Sequence, residues 1–466
     1  MCGQQERRLQ KKKQISLVMA GAMAAGLLAG CGGAASSAAS DTPASSSEAV
    51  SSEASSEATG HEINTTDPIT LTLSWWGGDS RHAAYQEAVK AFEAKYPNIT
   101  VETDYGAWSG WEEKISTGLA ANQSADVMQM AQIWLYQYSP TAEKFVDLTQ
   151  YSDVLDLTQW SDSALESCQI DGVQQAVPIS MTGRIFYWNE KTFEAAGLTY
   201  PTTYEELLDA GKTFQEKLGD DYYPLALSDY DRMILMTFYL ESKYGKAWIV
   251  DNQCQYTVEE IEDGMNFIQS LEDNHVTPTR PQMLAAAFDT VDKSEQWIQG
   301  KYAGILEWDS AAGKFKDALA DNSGFVVGDE IKFGDKANGG FSKVSMCMVI
   351  AKSCEHPVEA AALVNFLWNG EGAAIIGSQC GIPASTAGLA AAEAVDAVDA
   401  LTLEANNKVM AFTDMEHSPY YESSAMTDST EGLYIEVFDG LSYGEYDAKT
   451  AAQTLLDGVN DYLASV

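Results

Sequence analysis

The 466-residue sequence has few basic residues and few histidines. It carries 28 lysines and arginines against 68 aspartates and glutamates, for a formal net charge of −40 at pH 7. A surface of that sign repels nucleic acid and anionic lipid, so it argues against general binding to either. The five histidines are scattered without metal-ligand spacing, and the sequence therefore indicates neither a metal site nor a cofactor.

The sequence also lacks a disulfide pattern. Seven cysteines are present without a CxxC pair, and an odd number of them lies beyond residue 31. These later cysteines are Cys168, Cys254, Cys347, Cys354 and Cys380. We expect them to be small buried residues, with a Cys347–Cys354 bridge as the alternative.

The apolar run near the N-terminus, residues 15–28, is too short to span a bilayer as a helix. It follows a basic stretch and leads into LLAGC, which predicts a signal peptide over residues 1–30. LLAGC resembles a bacterial lipobox, which implies cleavage before Cys31 and lipid on its thiol. A plain signal peptide is the alternative. Residues 31–66, rich in Ser, Ala and Glu, predict a disordered tether.

From residue 69 onward, strand and helix patterns alternate. ITLTLSW and NITVETDY predict strands, and between them Tyr85, Val89, Phe92 and Tyr96 recur at helical spacing. GWEEKISTGLAAN predicts a second helix, and ADVMQMAQIW predicts a third strand. This alternation predicts an α/β protein with a parallel sheet covered by helices. Ligands of such sheets bind beyond the carboxyl ends of the strands, where WWGGDSR and QIW lie.

A second α/β unit follows. QQAVPISMTGRIFYWNE predicts a long extended segment, and YPLALSDYDR predicts a strand followed by a polar loop. GKYAGILEWD repeats the opening motif, an apolar strand that ends in a tryptophan and a carboxylate. NGGFSKVSMCMVIAKS returns the chain to a strand. The length also favours two domains.

The order of several motifs over residues 67–466 resembles the extracellular solute-binding proteins of bacterial ABC importers, in their sugar-binding branch. These motifs are AFEAKYPNITVE, STGLAANQSADVMQM, GRIFYWNEKTFEAAGLTYPTTYEELLDAGKTF, GKYAGILEWD and PVEAAALVNFLWNGEGAAIIGSQCGIPAS. One departure is SADV, where a proline usually precedes the aspartate.

The resemblance implies a two-lobe fold of the periplasmic binding-protein type (type II), with a ligand cleft between the lobes. We expect an N-terminal lobe of residues 67–178 and 342–384, and a C-terminal lobe of residues 183–338 and 385–466. The hinges would lie at 178–182 and 338–341, where NGG allows large changes in φ and ψ.

The resemblance further implies a carbohydrate receptor, for an oligosaccharide, that delivers its ligand to an ABC permease when the cleft closes. We expect a monomer without catalytic activity. It would be anchored through Cys31 on the extracellular face of the cell membrane of a Gram-positive bacterium.

Aromatic residues beside polar ones suit a sugar, since a flat ring covers the apolar face and polar groups take the hydroxyls. Predicted strand ends and loops place three tryptophans in such positions, Trp76, Trp108 and Trp308. Trp75 and Trp76 must point to opposite faces if the strand continues, so one of them belongs to the core. We assign Trp188 and Trp368 to the core.

Polar and hinge candidates follow the same logic. They are Asp79, Arg81, Gln132, Arg184, Asp229, Tyr230, Asp309, Gly340, Phe341 and Tyr420. For Asp79 and Arg81 a surface ion pair is the alternative, and for Gly340 and Phe341 a pure hinge role. Arg81, Arg184 and Arg232 would suit an acidic sugar such as a uronate, although arginine also binds neutral hydroxyls.

Enzyme motifs fit less well. GLSYG, with Ser442, matches a nucleophile elbow, but the last histidine, His417, precedes the serine instead of following it. AGKT lies within a predicted helix and lacks the first glycine of a phosphate loop. A secreted polysaccharide-degrading enzyme is an alternative, because acids are abundant. A sugar sensor or adhesin with the same binding fold is another.

Overall fold

The computed structural model describes residues 60–286, 290–413, 418–428 and 430–466. The predicted signal peptide and the lipid attachment at Cys31 lie outside these residues. Within the described part, no helix has the length and apolar character needed to cross a membrane. The His61 ring lies 3.0 Å from Asp153 Oδ1, and the Asn64 N–H donates to Glu359 Oε1 at 2.9 Å. Residues at the end of the predicted tether, His61 and Asn64, therefore contact the first folded elements.

The strands in the described part fall into one large sheet and two small hairpins. They are β1 (Ile69–Trp76), β2 (Ile99–Gly106), β3 (Val127–Ala131), β4 (Gln169–Ile170), β5 (Val173–Gln174), β6 (Ala176–Asn189), β7 (Ile249–Val250), β8 (Gln253–Cys254), β9 (Gly304–Trp308), β10 (Phe325–Val327) and β11 (Ser342–Ile350). The large sheet has the order β10-β6-β11-β3-β1-β2, and β9 also pairs with β6.

Helices cover this sheet, and most are short. They are α1 (Asp79–Lys95), α2 (Trp111–Ala121), α3 (Gln132–Tyr138), α4 (Asp162–Glu166), α5 (Glu190–Ala196), α6 (Tyr204–Lys217), α7 (Asp229–Tyr244), α8 (Val258–Asp273), α9 (Arg280–Ala285), α10 (Glu295–Ile298), α11 (Ala312–Ala318), α12 (Pro357–Asn369), α13 (Glu371–Ile376), α14 (Thr386–Glu393), α15 (Ala400–Phe412), α16 (Ser424–Thr427), α17 (Leu433–Ser442) and α18 (Ala448–Leu463).

The first three strands form the predicted parallel arrangement. β1 pairs with β2 from Ile69↔Ile99 to Trp76↔Gly106, and with β3 at Leu73↔Val127. Helix α1 buries Tyr85, Val89 and Phe92 against this sheet, as the helical spacing predicted. The carboxyl ends of β1, β2 and β3 therefore meet at one edge.

The predicted third strand is too long. β3 ends at Ala131, and Gln132 begins α3 instead of ending a strand. The apolar residues of this helix, Trp134 and Leu135, are buried. A short apolar run satisfies a strand and a buried helix equally well, so the pattern could not separate them. The same correction applies at Asp229, which begins α7 and was expected in a polar loop.

Strand β6 connects the hydrophobic core of one lobe with the cores of the other. The N-terminal half of β6 pairs with β11, and its C-terminal half pairs with β9 and β10. Gly183 lies between the halves, and a Cβ there would come within 2.5 Å of the Phe341 carbonyl oxygen. Only glycine allows the strands to approach so closely at the crossing. Gly339 and Gly340, just before β11, have φ of +78° and +92°.

The first lobe is the part built around the core of β1, β2, β3, the start of β6 and β11. The second lobe is the part built around the cores that include the end of β6, β9, α7, α8, α15 and α18. Helix α14 contacts the first lobe, since Thr386 Oγ1 donates to the Gln159 side chain at 2.9 Å. The expected boundary after residue 384 thus precedes a helix that still belongs to the first lobe.

All five cysteines in the described part are free thiols. Cys168, Cys347, Cys354 and Cys380 are buried, and Cys254 is half-buried. The alternative Cys347–Cys354 bridge is not formed. Burial raises the pKa of the Cys354 thiol to about 12, so it stays protonated at neutral pH.

Candidate functional site

A cavity of about 380 Å³ lies where the two lobes face each other. We call it the first cavity. Its first-lobe wall comes from the carboxyl ends of β1 and β3, from the loop after β2 and from α2 and α3. Its second-lobe wall comes from the end of β9, the start of α7 and residues 419–427. The first cavity thus lies beyond the carboxyl ends of the parallel strands, where the alternation predicts that a ligand binds.

Three tryptophans form one side of the first cavity. The Trp108 and Trp134 rings are stacked, with centroids 5.5 Å apart and planes within 7°. Trp76 is tilted against both, at 5.2 and 5.3 Å. Trp108 is 56% exposed, whereas Trp76 and Trp134 are buried. A rigid pair of buried rings therefore holds an exposed ring at the cavity surface, where an apolar ligand face can stack on it.

The side chain of Trp75 points to the other face of the strand. It is fully buried and stacks on Tyr85 at 4.7 Å and on Tyr105 at 4.9 Å. Adjacent residues of a strand face opposite sides, so one ring of the pair supports the core while Trp76 faces the cavity. Trp188 and Trp368 are likewise buried in the cores, as expected.

A charged group forms the opposite side of the first cavity. Lys343 at the start of β11 forms an ion pair with Glu422, and the Tyr230 hydroxyl donates to the same carboxylate. The Lys343 ammonium also lies 4.9 Å from the centre of the Trp308 ring. Burial, followed by the charge of Glu422, raises the pKa of Tyr230 well above its ordinary value, so this hydroxyl keeps its proton.

Arg81 provides a second cation from the first lobe. Its Nε donates to the Gln379 carbonyl at 2.8 Å, and its Nη1 donates to the Trp76 carbonyl at 3.2 Å. These backbone bonds fix the guanidinium at the cavity wall. No acidic side chain pairs with Arg81 among the described residues. The expected alternative, an ion pair with Asp79, is therefore not formed.

Contacts across the cleft join the two lobes. Glu112 on α2 accepts a hydrogen bond from Tyr138 at 2.9 Å and a longer one from Ser424 at 3.3 Å. The Tyr136 and Tyr420 rings meet edge to face at 6.0 Å. The structure therefore has the lobes in contact around the first cavity.

A second cavity, of about 830 Å³, lies within the second lobe. It shares Tyr230, Trp308 and Thr427 with the first cavity, so the two are neighbours. Charged side chains from several elements line it. They are Arg184, Asp229, Asp231, Arg280, Glu307, Lys314 and Asp428.

Arg184 lies at the boundary between the two cavities. It is 3% exposed, and its Nη1 lies 2.8 Å from Asp231 Oδ1 and 2.9 Å from Glu307 Oε1. Its guanidinium lies 4.4 Å from the centre of the Trp308 ring. Burial opposes its charge, but Glu307 and Asp231 prevail and raise the Arg184 pKa above its ordinary value. Arg184 therefore supports Trp308 from behind as a permanent cation.

Asp229 and Arg280 form a second buried pair in this cavity. Asp229 is in ionic contact with Arg280 Nε, which also lies 3.1 Å from Asp439 Oδ1. Burial raises the pKa of Asp229 to about 7, although Arg280 acts in the opposite direction. The carboxyl group is thus poised to exchange a proton near neutral pH.

The predicted site residues divide into three sets. Those that line the first cavity are Trp76, Arg81, Trp108, Gln132, Tyr230 and Trp308. Those that line the second cavity are Arg184, Asp229, Tyr230 and Trp308. Those that line neither cavity are Asp79, Asp309, Gly340, Phe341 and Tyr420.

The residues of the third set have structural surroundings. Asp79 is exposed at the start of α1, and Phe341 is fully buried in the second lobe against Phe238. Tyr420 packs edge to face on Tyr136 and Tyr462. Gly340 donates its N–H to Glu241 Oε2 at 3.0 Å. The side chains of this set therefore do not line either cavity.

Asp309 is buried at the crossing between the lobes. It accepts hydrogen bonds from Thr182 Oγ1 and, at 2.6 Å, from Asn406 Nδ2. Burial raises the pKa of this carboxyl to about 6, although both hydrogen bonds lower it. Asp309 therefore ties β6 to α15 beside Trp308, behind the cavity surface.

Sequence reasoning missed several cavity residues. The main ones are Glu112, Trp134, Lys343 and Glu422. Trp134 belongs to the QIW segment at the predicted strand end, and an aromatic residue at that position is a signal for a sugar site. Lys343 and Glu422 are far apart in the sequence and have no local pattern, so only the fold brings them together.

The motifs that resembled enzyme sites have other roles. Ser442 is the last residue of α17, and its Oγ donates to Glu272 Oε1 at 2.8 Å and accepts the Arg280 N–H at 3.0 Å. Ser442 ends a helix and does not follow a strand, so the nucleophile-elbow geometry is absent at this position. AGKT lies inside α6, as expected.

A family model described as "Bacterial extracellular solute-binding protein" matches residues 78–374. This range covers more than half of the chain, so the protein belongs to the bacterial extracellular solute-binding protein family. Its fold is that of the periplasmic solute-binding proteins, an α/β architecture with two lobes, in agreement with the expectation from sequence.

Solved structures of this family support the assignment. A periplasmic oligogalacturonide binding protein from Yersinia enterocolitica, in complex with saturated digalacturonic acid, is 31% identical. It has a TM-score of 0.79, and the match covers 85% of this chain and 99% of that one. A periplasmic solute binding protein from Pectobacterium atrosepticum is 32% identical, with the same TM-score and coverage.

A curated relative matches over a shorter range. The diacetylchitobiose binding protein DasA of Streptomyces coelicolor is 30% identical over 149 residues. That match covers 32% of this chain and 34% of the relative. The alignment thus spans about a third of the length of the curated relatives.

Proposed function

We propose that this protein is a carbohydrate-binding receptor, for an oligosaccharide, of an ABC-type import system. The observation that carries the proposal is the first cavity, in which stacked tryptophans from one lobe face polar and charged side chains from the other. A sugar ring needs this combination, because its C–H face stacks on an aromatic ring while its hydroxyls seek hydrogen bonds. Relatives named for binding oligogalacturonide and diacetylchitobiose add support.

An acidic sugar is the favoured ligand class. Arg81 and Lys343 bring two cations to the first cavity. Arg81 has no acidic partner among the described residues, so its guanidinium is available to a ligand carboxylate. The relative from Yersinia enterocolitica holds a digalacturonic acid. Arg184 and Arg232 do not serve this purpose, since buried acidic side chains already pair with them.

The receptor works without catalysis in this proposal. A glycosidase needs two carboxyl groups that flank the scissile bond, one of which gives up a proton. The carboxylates of the first cavity are engaged otherwise: Glu422 pairs with Lys343, and Glu112 accepts from Tyr138. Binding followed by release of unchanged sugar is the expected cycle.

The remaining features of the proposal concern the cell surface. Lipid on Cys31 would hold a monomeric receptor at the extracellular face of the membrane of a Gram-positive bacterium, and a permease would recognise its closed form. The lobes would comprise residues 67–178 and 342–393, and residues 183–338 and 394–466. The hinges would lie at 178–182 and 338–341, which is supported by the left-handed backbone of Gly339 and Gly340.

Titration of the purified protein with neutral and acidic oligosaccharides tests this function. Tryptophan fluorescence and melting temperature are followed together, and the sugar is recovered afterwards for mass analysis. A saturable fluorescence change, a raised melting temperature and intact sugar are expected. Cleaved sugar would overturn the proposal of a receptor without catalysis. If no oligosaccharide of the panel binds, the carbohydrate assignment is wrong, whereas the family membership is unaffected.

A further inference from the structure

The second cavity belongs to one lobe and lies beside the cleft. All of its described lining belongs to the second lobe, and at about 830 Å³ it is the larger of the two cavities. Ligand-binding cavities in proteins commonly measure about 300–1,000 Å³. The first cavity, at about 380 Å³, stands near the lower end of that range, and the second stands near the upper end.

The two cavities share an aromatic wall. Tyr230 and Trp308 line both, so the two cavities adjoin at these rings. Arg184 lies 5.2 Å from the Tyr230 ring centre and 4.4 Å from that of Trp308. The wall is therefore held in place by a buried cation and offers flat apolar surface to a sugar ring.

A buried donor in this cavity lacks a partner. Arg184 is 3% exposed, and its Nε has no hydrogen-bond acceptor among the residues that the structure describes. A buried donor without an acceptor is unfavourable, so an oxygen supplied by a ligand would be favoured there. Donors and acceptors stand side by side in the lining, which suits hydroxyl groups because each hydroxyl both donates and accepts.

We propose that the second cavity is a further ligand subsite, which receives the sugar units that extend past Trp308 and Tyr230. The preferred ligand is then an oligosaccharide longer than a disaccharide, and Arg184 Nε donates to one of its oxygens. This proposal rests on the proposed carbohydrate function and adds the length of the ligand to it.

Two length series test the subsite on the whole protein. Oligogalacturonides and chito-oligosaccharides of two to five units are titrated by calorimetry. For the series that binds, the affinity is expected to rise at least about tenfold from the dimer to the tetramer. Leu284→Trp, at a rim residue that is 52% exposed, is expected to remove most of this gain. Ile298→Trp is the matched control, because Ile298 is also exposed and lines neither cavity.

The outcomes separate the two proposals. Equal affinity for dimer and tetramer would overturn the subsite and leave the receptor intact. A gain with length that Leu284→Trp does not reduce would also overturn it, since the added units would then lie elsewhere. If that variant does not fold by circular dichroism, Thr290→Trp at another exposed position of the lining serves instead. Lack of binding by either series would remove the subsite together with the carbohydrate assignment.

Discussion

The two cavities differ in how their charges are used. In the first, side chains from both lobes meet, Arg81 has only backbone and sulfur partners, and Trp108 is half exposed. In the second, all described lining comes from one lobe, and its buried cations are already paired with acids. A site between two lobes is assembled when the cleft closes and is separated when it opens. A site inside one lobe does not change with closure, so its charges must be compatible with a stable fold in both states. Binding energy is therefore expected mainly from the first, and fold stability from the second.

The strongest test of this contrast is Arg184→Met. The change leaves Asp231 and Glu307 as buried acids without their cation, which costs about 3–5 kcal/mol of unfolding free energy. Lys114→Met is the control, because Lys114 and Asp104 form an exposed pair worth about 1 kcal/mol or less. Urea denaturation measures both. An equal loss in the two variants would show that the second cavity does not depend on its buried charges.

Trp108→Ala tests the first cavity from the opposite side. The exposed ring is expected to contribute about 2 kcal/mol to ligand binding, or roughly a thirtyfold change in Kd, because it offers the stacking surface. Since the ring is 56% exposed, the melting temperature should change little. Tyr443→Ala removes an aromatic ring of similar exposure that lines neither cavity. Calorimetric titration that gave the same Kd for both variants would contradict the stacking role.

The protonation of Asp309, at the crossing between the lobes, is expected to make the free energy of unfolding depend on pH. Its pKa of about 6 in the folded protein lies above the ordinary value of 3.8. Protonated Asp309 therefore favours the folded state, and this contribution is complete below about pH 4 and is lost as the pH rises through 6. The difference amounts to on the order of 2–3 kcal/mol.

Asp309→Asn cannot ionise and should lose this term. The difference in unfolding free energy between the wild type and the variant is measured by urea denaturation from pH 4 to 7.5. It is expected to shift in favour of the variant as the pH rises, because the other acidic groups cancel in the difference. A difference that stays constant over this range would show that Asp309 titrates at its ordinary pKa.

The smallest effect is expected at the mouth of the cleft. Ser424→Ala removes a long hydrogen bond to Glu112 across the lobes, worth about 0.5 kcal/mol, so the ligand Kd should rise roughly twofold. Thr117→Ala, at an exposed position of the same helix that lines neither cavity, is the matched control. The off-rate, followed by stopped-flow fluorescence, should increase in the first variant alone. An unchanged off-rate would show that the hydrogen bond between Ser424 and Glu112 does not stabilise the closed state.

The sequence predicted features that depend on neighbours in the chain. The helical spacing of Tyr85, Val89 and Phe92 predicted the buried face of α1. The opposite directions of Trp75 and Trp76 followed from the period of two in a strand. The alternation of strands and helices predicted where the strand ends meet, and so which loops could lie beside a ligand.

Other predictions failed where local pattern is ambiguous. Gln132 and Asp229 were expected at a strand end and in a loop, and both begin helices. Short apolar runs do not distinguish a strand from a buried helical turn, because both are filled by the same side chains. The outcome was decided by packing against the rest of the lobe.

By itself, then, the sequence determined the α/β class, the order of its elements and the loops at the carboxyl edge of the sheet. Only the tertiary structure decided that Lys343 pairs with Glu422, that Trp134 supports Trp108, and that Arg184 is held by two acids instead of facing the first cavity. The physical reason is range. Periodicity records which side of an element is apolar, whereas charge pairing and ring stacking depend on side chains that folding brings together from distant parts of the chain.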